Sequence, residues 1–257
     1  MPAVITALAA EIPSIAAPAM LPCWLEGGNV STGSLPTELL SQPLNYRVYL
    51  PPCYLQQLDR RYPVLYLFHG QGFTDDQWDR VGVDEAADRL ITLGEIPPLI
   101  IVMPHEIGSE TPTGSKFAQA IIQVLIPTID KSYRTLPDRI HRAVGGMSRG
   151  GGWAVHFGIS EWQWFGALGA HSPGIFRSDE IYLFDWLDAI PTDSYPRIYI
   201  DIGDRDLPQI LVSTMWFEKL LNERDVPHEW YFFRGFHNEA YWRAHLESYL
   251  RWYTQEW

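Results

Sequence analysis

The chain is short of several things, and each shortage excludes something. It has only two cysteines, Cys23 and Cys53. Neither belongs to a CxxC pair or stands at metal-ligand spacing from a histidine, so a zinc site is not expected. With so few, two free thiols in a cytoplasmic protein are the simpler expectation, a single disulfide the alternative. Positive charge is scarce: 19 Lys and Arg stand against 31 Asp and Glu, a formal net charge of −12. Such a surface repels phosphate backbones and anionic headgroups, so neither nucleic acid nor a membrane surface is an expected partner. No apolar run reaches the roughly eighteen residues that a membrane-spanning helix needs. The N-terminal stretch, residues 1–20, is rich in Ala and Pro but lacks a basic start, and Glu11 interrupts it. It reads as a loosely ordered lead-in rather than a signal peptide.

What remains is enough for a sizeable core. Of 257 residues, 46% are hydrophobic, and eleven are Trp. Rings of that size are mostly buried, although some line clefts. No repeat or linker divides the chain, so residues 21–257 are expected to form a single domain.

Short apolar runs alternate with longer stretches of helical spacing. Strands are predicted over 46–50, 63–68, 99–103, 142–146, 165–170, 197–202 and 228–233. Helices are predicted over 84–93, 116–131, 149–157, 180–189, 208–223 and 239–252, with Pro127 kinking or splitting the second. This alternation predicts an α/β fold: a mostly parallel central sheet with helices on both faces. In that architecture functional residues gather at the carboxyl ends of the strands.

One motif concentrates the chemistry. Gly146-Met147-Ser148-Arg149-Gly150 is a G-x-S-x-G placed between a buried strand and a helix. A serine on so sharp a turn is strained and exposed, and glycines two residues either side remove side chains that would clash. The helix N-terminus favours an anion forming beside the hydroxyl. Upstream, the strand over 63–68 ends in His69-Gly70-Gln71-Gly72, a loop able to bring one backbone N–H to an oxyanion. Gln71 and Arg149 are the expected donors, Gly70 and Gly72 allow close approach, and His69 braces the loop.

A serine nucleophile of this kind is followed in the chain by an acid and then a histidine. Asp206, just past the strand over 197–202, is the expected acid. Asp204 is the rival, and Asp201 falls within the strand. His237, in the loop after the last strand, is the expected base; a histidine base predicts activity that falls below about pH 6 to 7. Phe73, Trp78, Trp153, His171 and Trp242 are expected to line the substrate cleft, and His105 is a further candidate. His141, His156, His228 and His245 read as surface or packing residues. The 104–115 segment is the candidate for a mobile loop over the cleft.

Four segments resemble one family: 46–52 (YRVYLPP), 61–70 (RYPVLYLFHG), 125–135 (LIPTIDKSYRT) and 141–151 (HRAVGGMSRGG). They are similar to the putative-esterase family of α/β-hydrolases. That family includes S-formylglutathione hydrolase (esterase D), feruloyl and acetylxylan esterases, enterochelin esterase and the antigen 85 mycolyltransferases. The resemblance runs from about Asn29 to the C-terminus and implies an α/β-hydrolase fold with Ser148, Asp206 and His237 as a catalytic triad. It implies a small-molecule ester substrate, with sugar- or aromatic-acid-linked esters among the candidates, and no metal or organic cofactor. Acyl transfer with the same triad, and a degenerate hydrolase serving as a binding scaffold, are the rival readings. The chain departs from many relatives at Arg149, where they carry methionine. That cation could point into the cleft or pair on the helix. Oligomeric state is not legible.

Overall fold

The computed structural model describes residues 22–108 and 111–257; the 1–20 lead-in lies outside the described residues. The strands are β1 (Asn29–Leu35), β2 (Leu44–Leu50), β3 (Val64–Phe68), β4 (Ile100–Pro104), β5 (Arg142–Met147), β6 (Ala167–His171), β7 (Arg197–Arg205) and β8 (Glu229–Phe236). They form one sheet in the order β1-β2-β4-β3-β5-β6-β7-β8. The first two pairings, β1 with β2 and β2 with β4, are antiparallel, and all the others are parallel. The mostly parallel sheet with helices on both faces is the α/β architecture that the alternation of runs predicts.

Every apolar run read as a strand is one. The addition is β1, whose sequence NVSTGSL is too polar and too exposed to signal a strand. It forms because it lies at the sheet edge and pairs residue for residue with β2. Its neighbour explains the cysteines. Asn29 lies opposite Leu50, so the turn before β1 and the turn after β2 abut. Cys23 and Cys53 are thereby brought to a Cα separation of 4.9 Å and joined as a disulfide. The expectation of free thiols is corrected on this point.

The helices are α1 (Gln77–Val81), α2 (Val83–Thr92), α3 (Lys116–Ala120), α4 (Ile126–Ser132), α5 (Arg149–Ser160), α6 (Arg177–Glu180), α7 (Leu183–Asp188), α8 (Pro208–Asn222) and α9 (Glu239–Thr254). Alternate residues of β3 point to opposite faces. Val64, Tyr66 and Phe68 join a core with residues of α3, α4, α5, α7 and α8. Leu65 and Leu67 join a second core with α1, α2 and α9. Helices thus cover both faces, as the unbroken apolar strands require.

The helix predicted over 116–131 is divided. Residues Ile121–Leu125 form a π-helical turn between α3 and α4. Pro127 has no N–H and its ring would strike the carbonyl four residues back; the wider turn makes room for it.

Candidate active site

The carboxyl ends of β5, β7 and β8 converge on one cleft. Ser148 follows β5 directly and precedes the first residue of α5, with φ 55° and ψ −119°. A non-glycine residue there is strained and needs support on both sides. The Ser148 N–H donates to the carbonyl of His171 at 2.9 Å, and its own carbonyl accepts from Gly152 and Gly174. The flanking glycines are obligatory in different ways. A Cβ on Gly146 would lie 2.1 Å from the Gly150 carbonyl oxygen, whereas one on Gly150 would lie 2.1 Å from that of Phe68. Gly150 therefore accommodates β3 rather than its partner in the motif.

His237 follows β8 immediately. The next residue, Asn238, caps α9 by accepting the Tyr241 N–H at 3.0 Å, which fixes where the loop ends. His237 Nε2 lies 2.8 Å from Ser148 Oγ, and Nδ1 lies 2.7 Å from Asp206 Oδ1. The second contact is close but poorly aligned, since neither Nδ1 nor Asp206 Oδ2 completes a hydrogen bond. Catalytic contacts of this kind are commonly loose without substrate and tighten with it. Asp206 Oδ1 also accepts the Leu207 N–H at 2.7 Å. The rival Asp204 is turned elsewhere: its Oδ1 accepts the Gly235 N–H at 3.0 Å, tying β7 to β8.

The expected oxyanion donors also meet here. A Cβ built on Gly70 would stand 3.6 Å from that of Ser148. The Gly70 N–H is already used, donating to the buried Gln77 Oε1 at 2.8 Å. The Gln71 N–H has no hydrogen-bond partner among the described residues, and Arg149 opens α5 beside the nucleophile. Gly72 has φ 80°, a conformation that favours glycine at the loop's turn. Burial lowers the His69 pKa, which keeps the ring neutral. Neutral, it contacts the Gly70 carbonyl through Nδ1 and accepts the Glu106 N–H through Nε2, at 2.8 and 2.9 Å. It braces this loop.

The cleft has a volume of about 720 Å³ and is walled by Phe73, Leu207, Ile210 and Trp242, with Gln71, Gln77, Gln209 and Glu239 among its polar groups. Trp242 also meets His237 edge to face, ring centres 5.1 Å apart. Three residues expected in the cleft are in the core instead. Trp78 is 1% exposed and donates its indole N–H to the Phe68 carbonyl. Trp153 packs among Phe117, Phe157 and Phe176 on the face of α5 turned toward the core. The His171 ring is fully buried, with Nδ1 2.6 Å from Asp201 and Nε2 3.0 Å from Tyr253. Trp78 and Trp153 lie on helices that follow strands and His171 ends β6, but each side chain enters a core face of the sheet.

The sequence reading missed Gln77 and Glu106. Nothing in the run around Gln77 marks it. Glu106 follows β4 and could have been found by the same strand-end rule. Arg149 pairs with Glu106 at two points along one guanidinium edge, Nε donating to Oε2 at 2.8 Å and Nη2 to Oε1. Its charge is therefore neutralised beside the cleft by an acid outside its own helix. The 104–115 segment is tied at its start by this pair and by the His105 N–H to the Asn45 carbonyl; residues 109–110 lie outside the described residues. Among the described residues there is no cluster of potential metal ligands, and no helix is long and apolar enough to cross a membrane.

The arrangement is an α/β-hydrolase scaffold carrying a serine, an imidazole and a carboxylate in contact. The chain belongs to the Esterase family, described as "Putative esterase", whose model matches residues 37–253. It is 31% identical over 193 residues to an endo-1,4-beta-xylanase/feruloyl esterase of Xylanibacter ruminicola, covering 71% of this chain and 26% of that protein. An esterase of Mycobacterium tuberculosis is 34% identical over 138 residues, covering 49% of this chain and 29% of that one. The chain thus spans between a quarter and a third of the length of these curated relatives. Among solved structures, a ferulic acid esterase superposes with a TM-score of 0.80 at 28% identity, covering 89% of this chain and 98% of that one. S-formylglutathione hydrolase of Staphylococcus aureus superposes with a TM-score of 0.70 at 16% identity, over 88% and 99% of the two chains, a likeness of fold.

Proposed function

We propose that this chain is a serine esterase in which Ser148 is the nucleophile, His237 the base and Asp206 the acid. The observation that carries the reading is the 2.8 Å contact of His237 Nε2 with Ser148 Oγ, made by a serine held at positive φ at the mouth of a cleft. His237 takes the hydroxyl proton as Ser148 attacks the ester carbonyl. The Gln71 and Arg149 N–H groups receive the oxyanion, His237 protonates the departing alcohol, and water repeats the sequence on the acyl-enzyme. Asp206 holds the ring in the tautomer this requires. We read residues 21–257 as one catalytic domain, since the eight strands among the described residues join a single sheet.

For the substrate we propose esters of aromatic acids. The relatives named as feruloyl or ferulic acid esterases support this, as do the flat apolar walls given by Phe73 and Trp242. The cleft volume lies within the range usual for small-molecule sites, about 300–1,000 Å³. The Cys23–Cys53 bond favours an oxidising compartment over the cytoplasmic location expected from composition.

The test is kinetic. A fluorophosphonate probe is expected to label wild-type protein on Ser148. Methyl ferulate is expected to be cleaved with higher kcat/KM than methyl butyrate. Absence of labelling would favour a binding scaffold. A product ester formed with an added sugar acceptor would favour acyl transfer. Higher kcat/KM on the alkyl ester would remove the aromatic assignment.

A further inference from the structure

The two oxyanion donors come from separate parts of the chain: Gln71 from the loop after β3, Arg149 from the start of α5 after β5. Their separation must match one oxygen atom to within a fraction of an ångström, since misplaced donors lose most of their effect. Pairing of β3 with β5 ends at Phe68 opposite Gly146, so the ladder does not reach either donor.

One residue bridges the gap. β4 lies on the far side of β3 from β5, and Glu106 stands just beyond its end. Its backbone N–H donates to His69 Nε2 at 2.9 Å. The same ring contacts the Gly70 carbonyl through Nδ1 at 2.8 Å, immediately before Gln71. Its carboxylate crosses the tip of β3 and takes the Arg149 guanidinium in a two-point grip. That pair is sheltered, with side-chain exposures of 3% for Glu106 and 13% for Arg149. The guanidinium lies 4.9 Å from the centre of the Phe176 ring, which limits its freedom further.

We propose that Glu106 is a positioning residue that sets the spacing of the Gln71 and Arg149 backbone donors by gripping both of their segments. This rests on the reading of Ser148 as nucleophile. A buried, two-point ion pair suits the task because its geometry is narrow. Such pairs add little net stability over apolar substitutes, so fixing geometry is the better account of its presence here. Both donors are main-chain groups, so substituting Glu106 or the Arg149 side chain keeps both N–H groups and alters only their placement.

The experiment compares Glu106→Gln, Arg149→Met, the double variant and Glu106→Asp, with Ser148→Ala alongside. Melting temperature, kcat and KM for p-nitrophenyl acetate, and inhibition by phenylboronic acid are measured on each. The boronic acid adds to the serine oxygen and presents a tetrahedral oxyanion. The single variants are expected to lose about tenfold or more in kcat, part of the 10²–10³ that a lost donor costs, with KM within about twofold. Inhibition by the boronic acid is expected to weaken in parallel. The double variant removes both charges of the pair together, so its melting temperature is expected to exceed that of the single variants while kcat stays low. Glu106→Asp keeps the charge but shortens the reach, and is expected to lose kcat while staying folded. It and the double variant decide the matter if a single variant does not fold. A folded double variant with near wild-type kcat and boronic-acid affinity would show the pair to be structural only. Activity retained in Ser148→Ala would overturn the reading of the site, and the role of Glu106 with it.

Discussion

His237 Nε2 lies 2.8 Å from Ser148 Oγ across 89 residues of sequence. The imidazole faces the hydroxyl at hydrogen-bonding distance, and the serine's backbone is held at φ 55° by the carbonyl of His171 and the amides of Gly152 and Gly174. None of these supports uses the hydroxyl. Ser148→Ala is therefore expected to keep the wild-type melting temperature while hydrolysis of p-nitrophenyl acetate falls on the order of a millionfold. A parallel loss of stability would show the hydroxyl to be structural.

Asp206 and Asp204 are two residues apart, yet only Asp206 reaches the imidazole. Asp204 is occupied by the Gly235 amide. Asp206→Asn is expected to lower kcat by roughly 10⁴, the effect of leaving the base in the wrong tautomer. Asp204→Asn is expected to change kcat by less than about fivefold and to cost about 1 kcal/mol of stability, the worth of one hydrogen bond. Reversed effects on steady-state kinetics would exchange the two assignments.

The contrast between these aspartates shows what the sequence makes legible. Order along the chain and position at a strand end bring out Ser148, Asp206 and His237, because the doubly wound sheet turns linear order into a row of strand ends. It cannot say which way a side chain turns once there. Trp78, Trp153 and His171 stand close to the cleft in the chain but point into the core. Glu106 and Gln77 act through partners more than forty residues away, or through a backbone amide, and no local spacing encodes that. The Cys23–Cys53 bond was hidden for a similar reason: it depends on the polar edge strand β1, which carries no apolar signal.

Trp242 and Trp78 should accordingly separate in their effects. Trp242 both walls the cleft and backs the His237 ring. Trp242→Ala is expected to lower kcat by about tenfold, the upper end of what an aromatic pair contributes, and to raise KM for aryl esters. Trp78→Phe removes buried volume and the donor to the Phe68 carbonyl. It is expected to cost about 1–3 kcal/mol in denaturant unfolding with KM unchanged. A raised KM in Trp78→Phe would return that residue to the cleft.

Cys23 and Cys53 close a loop across a sequence separation of 30. Cross-linking that length restricts the unfolded chain by about 3–4 kcal/mol in the chain-entropy account. Cys23→Ser with Cys53→Ser is expected to lower the unfolding free energy by about that much. Activity at room temperature should be retained, because the bond joins the turns flanking β1 and β2, away from the cleft. An equal effect of reductant on wild-type and doubly substituted protein would show that the bond does not form in solution.

Asp84 supplies a pH test independent of the cleft. It lies in the first turn of α2, where a negative charge is favoured by the helix dipole. Its Oδ1 is nevertheless buried without a hydrogen-bond partner, and Glu85 stands beside it. Burial first, and the hydrogen bond and charge of Glu85 after it, push its pKa from 3.8 up to about 7. Folding therefore favours the protonated carboxyl. Between these two values the folded state binds the proton that the unfolded state has released, so stability falls as pH rises. The contribution is fully present below the unfolded value and is lost as pH climbs through about 7. Asparagine mimics the protonated form. Asp84→Asn is thus expected to raise the melting temperature at about pH 8, to leave it unchanged near pH 3.5, and to show the change between them. Subtracting wild-type from variant melting curves removes the titrations the two proteins share. A difference that does not vary with pH, or that favours wild type at the alkaline end, would mean that Asp84 is ionised throughout and that the helix dipole outweighs its burial.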